Sequence, residues 1–349
     1  MTRINDKIDI KSLLPEELSA LLKEMGQPGY RAGQLFSWLS GGCGDWEEMT
    51  NLPKALRTAL SESSHLYAPK VLRRQESAQD GTIKFLWELY DGNAVETVVM
   101  RYHYGNTVCI SSQVGCAQGC AFCASAIGGK IRDLTASEML DEVIWSEKES
   151  GLPVGHIVLM GIGEPLDNFD NVMRFLELVN HPRGRNIGMR HISLSTCGIL
   201  ERFDDLAERD LQLTLSVSLH APDDETRSRL MPANRGRGVD ELFRKCGEYY
   251  RRTGRRISFE YAMIDGVNDS PEQAELLARR VKPLGAHVNL IPLNHVDERR
   301  FEPSSPESLR RFTEILTKNG VNVTVRRRLG SDVDASCGQL RRKTVRETK

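Results

Sequence analysis

The sequence predicts an α/β fold: a partial (β/α)6 barrel with a small helical domain ahead of it and a β-hairpin between the two. Three observations predict it. Strand-length apolar runs alternate with helical periodicity beyond residue 106, helical spacing fills the first 64 residues, and two alternating segments flank a Tyr90-Asp91-Gly92-Asn93 turn. The expected domains are 1–70, helical and accessory, 71–105, the hairpin linker, and 106–349, the catalytic core with a C-terminal loop.

In the first segment, apolar residues recur at helical spacing from Leu13, punctuated by Gln27-Pro28-Gly29 and Asn51-Leu52-Pro53, which predicts three or four short helices. Ser12 is the expected N-cap of the first, and Tyr30, Leu35, Phe36, Trp38 and Leu39 the expected core. Segments 83–89 and 95–101 read as the hairpin. Strands are expected at 108–113, 156–160, 191–196, 213–219, 257–263 and 288–292, and helices at 137–149, 171–179, 201–208, 239–252 and 271–281. Thr135 and Glu138 form a capping box for the first of these helices. Six units fall short of the eight that close a full barrel.

With 349 residues, 40% hydrophobic and 27% charged, the chain reads as a globular protein. No stretch approaches the apolar length that crosses a bilayer, and the start, Met1 to Lys7, lacks the apolar core of a signal peptide, so a cytoplasmic protein without membrane contact is expected. Eight cysteines are too sparse for a disulfide scaffold, and clustered ones point to metal binding or catalysis. Cys43, Cys197 and Cys246 read as inert. A net charge of −1 argues against a uniformly basic coat, yet Arg326 to Arg328, Arg341 to Lys343, and Arg251, Arg252, Arg255 and Arg256 form basic runs. Such runs suit either a local RNA-facing surface or ordinary solvated surface.

Cys116, Cys120 and Cys123 fall within eight residues. Three thiolates are one ligand short both of the usual [4Fe–4S] set and of a structural zinc site, so the trio suits a cluster with an open iron or a zinc ion completed from afar. Parallel α/β proteins carry chemistry at the carboxyl ends of their strands. There the sequence puts the cysteine loop, Gly161-Ile162-Gly163-Glu164-Pro165, Ser195, Ser218-Leu219-His220 and Asn294. Small residues let backbone approach a ligand, and the Glu carboxylate can hold an ammonium group. Neither Cys109 nor Cys337 fits an apolar core pattern cleanly.

The cysteine spacing, with Phe122 before the last cysteine, resembles the signature of radical S-adenosylmethionine (SAM) enzymes, whose fold is a partial barrel. Ser111 to Cys116, Gly161 to Asn168, Ser218 to Ala221, Asp265 to Asp269 and Asp334 to Leu340, in order over nearly the whole chain, closely resemble the RlmN/Cfr family of adenosine methyltransferases.

That resemblance implies one [4Fe–4S] cluster on Cys116, Cys120 and Cys123, and SAM, two per turnover, bound by Gly163, Glu164, Ser195, Ser218, Leu219, His220 and Asn294. It further implies that Cys337 accepts a methyl group from one SAM, that a radical from the second activates this S-methylcysteine, and that the resulting methylene adds to adenine. Glu96 is then the proton acceptor, and Cys109 the resolving thiol that leaves a transient disulfide with Cys337.

The implied partners are 23S rRNA, tRNA and an electron donor such as flavodoxin, with a monomer as default. The target base must be unstacked to be reached. Lys23, Arg31, Lys54, Arg57 and the C-terminal arginine runs are candidate phosphate contacts. Pro165 is more like the branch that methylates carbon 2 of adenine. The alternatives are the carbon 8 branch, a radical SAM enzyme acting on a small molecule or protein, and a non-catalytic zinc-stabilised RNA-binding protein.

Overall fold

The computed structural model describes residues 2–294, 298–330 and 332–333. The chain opens with three helices, α1 (Pro15–Glu24), α2 (Tyr30–Ser40) and α3 (Lys54–Ser63). Pro15 suits the first helical turn because its missing N–H would have had no partner there, and Glu17 reaches back to the backbone N–H of Leu14 at 2.8 Å. Leu18, Leu22, Leu35, Phe36 and Leu60 form the buried seam between these helices and the rest.

Two expectations for this region are corrected. Ser12 does not cap α1: its hydroxyl donates to Asp9 at 2.5 Å and accepts from the backbone N–H of Ser137 at 3.0 Å, so it serves a helix 125 positions away. Tyr30 is not core. As the first residue of α2 it points outward, 63% exposed, with the Arg31 guanidinium 4.9 Å from its ring centre; Trp38 is only half-buried.

Strands β1 (Lys70–Glu76), β2 (Ile83–Glu88) and β3 (Ala94–Tyr102) form an antiparallel meander rather than a lone hairpin. It does not stand apart from the core, because β3 pairs with β4 (Gly105–Cys109) and so enters the main sheet. After β4 come α4 (Ala136–Ser150), β5 (Val154–Leu159), α5 (Phe169–Asn180), β6 (Ile192–Thr196), α6 (Phe203–Glu208) and β7 (Thr214–Ser218). The chain continues through α7 (Asp224–Leu230), α8 (Val239–Thr253), β8 (Ile257–Met263), α9 (Pro271–Val281), β9 (His287–Pro292), α10 (Pro306–Lys318) and β10 (Asn322–Val325). The sheet has ten strands, in the order β10-β9-β8-β7-β6-β5-β4-β3-β2-β1.

Strands β4 to β10 run parallel, which makes seven described parallel strands where the sequence reading expects six. The seventh, β10, has four residues and a largely exposed edge, too short and too polar to announce itself by periodicity. The expected first strand also ends earlier, at Cys109; Gln113–Gly115 pairs instead with Lys130–Asp133 in a separate ribbon. The capping box at α4 is present, with Thr135 N–H donating to Glu138 at 3.0 Å and Glu138 N–H to the Thr135 hydroxyl at 3.3 Å.

Parallel strands covered by helices on both faces are usually apolar throughout. Here β6 and β7 alternate, Ile192-Ser193-Leu194-Ser195 and Leu215-Ser216-Val217-Ser218. Leu194, Leu215, Val217 and Phe259 are fully buried against the helices, whereas Ser195, Ser218 and Glu260 line an interior cavity.

The sheet stays open between β10 and β1, and the chain after β10 bridges the gap. Arg326 N–H donates to Leu290 O at 2.8 Å, and Gly330 N–H to Asp80 at 2.8 Å. Asp332 then accepts from the Ser77 hydroxyl at 2.6 Å and the Ala78 N–H at 2.9 Å, both in the turn between β1 and β2. No described helix is long and apolar enough to cross a membrane.

Candidate active site

The strand ends surround a cavity of about 330 Å³. The thiols of Cys116, Cys120 and Cys123 line one part of it. Their loop starts at Gly115, whose φ of 79° and position leave no room for a side chain: a Cβ would stand 2.0 Å from Gly129 O. It is held by Ala121 N–H donating to Leu230 O at 2.8 Å, and the Phe122 ring packs edge-on against His220 with centres 4.9 Å apart.

Burial pushes the Cys116 thiol up to about 11 and Cys120 higher still, each further raised by its cysteine neighbours. A buried thiol gives up its proton readily only where a cation stabilises the thiolate left behind, as an iron centre would. Among the described residues no three His, Cys, Asp or Glu side chains converge on one ion-sized point. Three cysteines lining one cavity are the donor set of a [4Fe–4S] cluster with one iron left to another ligand, and the residues present fit that group.

The neighbouring strand end presents the glycines. Gly163 has φ 110°, and a Cβ there would stand 2.6 Å from Gln113 Cβ. Glu164 is buried; one carboxylate oxygen accepts from Leu166 N–H at 3.0 Å, the other from Cys197 N–H at 2.7 Å, and its own N–H donates to Gln113 at 2.9 Å. It therefore braces two strand ends as well as lining the cavity, and burial raises its pKa.

Ser195, Ser218, His220 and Asn294 line the same cavity, so the structure brings together the residues expected at the strand ends. Leu219 is the exception. It is fully buried away from the lining, with its N–H donating to Glu260 O at 3.0 Å and its carbonyl accepting from Arg227 at 3.1 Å. At φ 56° His220 turns its ring so that Nδ1 accepts from Ala262 N–H at 2.9 Å, which leaves the proton on Nε2. Burial, then the Arg227 charge, pushes its pKa down to about 3, so the ring is neutral.

On the meander side, Cys109 ends β4 in an apolar cluster with Val98 and Met100, and all three line the cavity. Glu96 lies on the same face of β3, 3% exposed and 2.8 Å from the Lys84 ammonium, but outside the lining. Cys337 and the basic run 341–343 lie outside the described residues, and with Cys337 its expected pairing with Cys109.

Several site residues escaped the sequence reading. Cys197, read as inert, lines the cavity, its thiol 3.4 Å from Gln118. Arg227, 2% exposed, ties the ends of β6 and β7 by donating to Cys197 O at 2.7 Å, Ser218 O at 3.2 Å and Leu219 O at 3.1 Å. Nothing in its helix signals this, because these partners are backbone carbonyls outside the helix, 8, 9 and 30 positions away. Glu260 was legible in principle: an acid inside the apolar run Ile257–Met263 is an anomaly. Arg326, Arg327 and Arg328, by contrast, are among the expected phosphate contacts, and they line the cavity rather than an outer face. Among the expected phosphate contacts, Arg57 is engaged internally, 2.7 Å from Glu47.

Residues 110–278 match the radical SAM superfamily, and residues 8–66 match the ribosomal RNA large subunit methyltransferase N-terminal domain. A protein of Desulforamulus reducens named probable dual-specificity RNA methyltransferase RlmN is 49% identical over 97% of this chain and 97% of its own. Its namesake in Lachnoclostridium phytofermentans is 48% identical over 100% of this chain and 98% of its own. The crystal structure of a radical SAM methyltransferase from Sphaerobacter thermophilus superposes with a TM-score of 0.91 at 42% identity, covering 95% of this chain and 98% of that one. End-to-end similarity at this level, on a barrel whose strand ends gather the expected cysteines, means that the chain belongs to the RlmN family of the radical SAM superfamily.

Proposed function

We propose that the protein methylates carbon 2 of adenosine in RNA, in 23S rRNA at the peptidyl-transferase centre and in tRNA beside the anticodon. The observation that carries this reading is one cavity lined both by the trio Cys116, Cys120 and Cys123 and by the separate thiol of Cys109. Carbon 2 of adenine is an electron-poor amidine carbon and cannot attack a methyl donor as an amine or thiolate would. A [4Fe–4S] cluster, which the trio would hold, would supply, together with SAM, one-electron cleavage and hydrogen abstraction.

The chain supplies the rest. Gly163 admits the cofactor's methionine end against bare backbone, and Glu164 offers a carboxylate to its ammonium group. Ser195, Ser218 and Asn294 present polar groups to its ribose, carboxylate or adenine, while Leu219 holds its strand end from the core and His220 offers Nε2–H. Cys337 carries the methyl group and Glu96 takes the ring proton; the Cys109 thiolate then attacks the Cys337 sulfur, the sulfur–carbon bond to the methylated base breaks to release RNA, and the resulting Cys109–Cys337 disulfide is reduced by an external thiol. Two SAM are consumed per turnover. Arginines at 326–328 on the cavity wall suit phosphate, and the relatives' name, dual-specificity RNA methyltransferase, supports RNA as substrate. The protein works as a cytoplasmic monomer with a flavodoxin-type electron donor.

Mass spectrometry of adenosines from rRNA and tRNA of a deletion strain tests this: 2-methyladenosine is lost from both. Cys109→Ala accumulates protein crosslinked to RNA, and Cys337→Ala gives neither crosslink nor product. Loss of 8-methyladenosine instead would move the protein to the other branch.

A further inference from the structure

The cysteine loop is held from outside by a residue with no role so far. Five positions past Asn294, Arg299 sends one guanidinium nitrogen, Nη2, to the backbone carbonyls of Cys123 at 3.1 Å and Cys120 at 3.4 Å. These belong to two of the three thiol residues. The segment carrying Arg299 is itself fastened to the end of β8, where Asp265 N–H donates to Glu302 O at 3.0 Å and Ile264 bridges to Pro303. Arg299 Nε is buried and has no hydrogen-bond partner among the described residues. A buried, unpaired N–H on a cation is costly unless something else accepts from it. The guanidinium stands beside a loop whose three cysteines line the cavity, and charge near a cluster sets its potential.

We propose that Arg299 is a positioning residue for the iron–sulfur cluster, clamping its loop through two carbonyls and favouring the reduced state through its charge. The second effect follows from electrostatics: reduction adds one negative charge, and a cation held against the cysteine loop stabilises the more negative form. The inference rests on the cluster assignment, not on the identity of the RNA substrate.

The test uses the full-length protein, reconstituted anaerobically with iron and sulfide and titrated potentiometrically with detection by electron paramagnetic resonance. Arg299→Met is expected to shift the midpoint potential to more negative values and to lose iron to a chelator about tenfold faster, the scale of one lost hydrogen bond to a charged group. Arg299→Lys, which keeps the charge but not the fork, is expected to recover most of the potential while still losing iron faster than wild type. Failure of Arg299→Met to take up iron while its apoprotein melts like wild type also supports the clamp. An unchanged potential together with an unchanged rate of iron loss overturns it. Should Arg299→Met fail to fold, Arg299→Lys decides: iron loss at the wild-type rate overturns the clamp. A wild-type protein that takes up no iron would instead sink the cluster assignment itself.

Discussion

Lys84 and Glu96 face each other across neighbouring strands β2 and β3 with 2.8 Å between ammonium and carboxylate, the one fully buried and the other 3% exposed. The pair lies on the sheet face that carries Val98 and Cys109 towards the cavity. Removing one partner of a buried ion pair costs about 3–5 kcal/mol, because the remaining charge loses its near counter-charge, whereas removing both is often close to neutral. Lys84→Met is therefore expected to destabilise the protein by about that amount, and Lys84→Met with Glu96→Gln to recover most of it. Urea unfolding of the two single variants and the double variant measures the coupling; additive losses would mean that the two charges do not support each other.

Gly163 cannot be replaced quietly. Alanine at φ 110° is strained, and its methyl would press on Gln113 Cβ at 2.6 Å and the Ser112 hydroxyl at 2.7 Å. Gln113 holds the N–H of Glu164, so the strain reaches the cofactor wall directly. Gly163→Ala is expected to weaken SAM binding at least tenfold, about 1.4 kcal/mol. Equilibrium dialysis with labelled SAM checks this, and unaltered affinity would remove Gly163 from the site.

Burial gives His220 a measurable pH signature. Its folded pKa is pushed down to about 3 from an ordinary 6.5, so between these values the unfolded chain binds one more proton than the folded protein. The stability it contributes is complete above pH 6.5 and is lost as pH falls through that value, with a slope of up to about 1.4 kcal/mol per pH unit. His220→Asn keeps an acceptor for Ala262 N–H without the titration. Its unfolding free energy is expected to fall less than that of wild type between pH 7 and 5, by about 2 kcal/mol. Parallel slopes in denaturant titrations at the two pH values would contradict this.

The bridge across the sheet's open side depends on two aspartates. Asp80 receives Gly330 N–H, and Asp332 receives Ser77 and Ala78. Asp332→Ala is expected to leave global stability within about 1 kcal/mol, since the contacts are near the surface, yet to raise hydrogen exchange in residues 326–330 and in the β1–β2 turn by tenfold or more. Exchange confined to wild-type rates would show that the bridge is held by other contacts.

Local chemistry made much of this protein legible. Thr135 and Glu138 announced their capping box because both partners lie within one helical turn. The strand-end order of the cysteine loop, Gly163, Glu164, Ser195, Ser218, His220 and Asn294 followed from alternating strand and helix patterns, and that order alone carries them to one rim in a parallel sheet. Tyr30 and Trp38 misled because helical spacing marks an apolar stripe without saying how wide a face its neighbour covers.

What tertiary structure decided is every relationship between residues far apart in the chain. Ser12 caps a helix 125 positions on, and Asp80 meets Gly330 at a separation of 250. Arg227 ties two strand ends together, and β10 becomes a strand only because β9 offers it an edge. Periodicity and spacing record the preferences of neighbours along the chain. Which distant donor finds which acceptor depends on strand register and on the closure of the sheet, and these are settled only when the whole apolar face is buried at once.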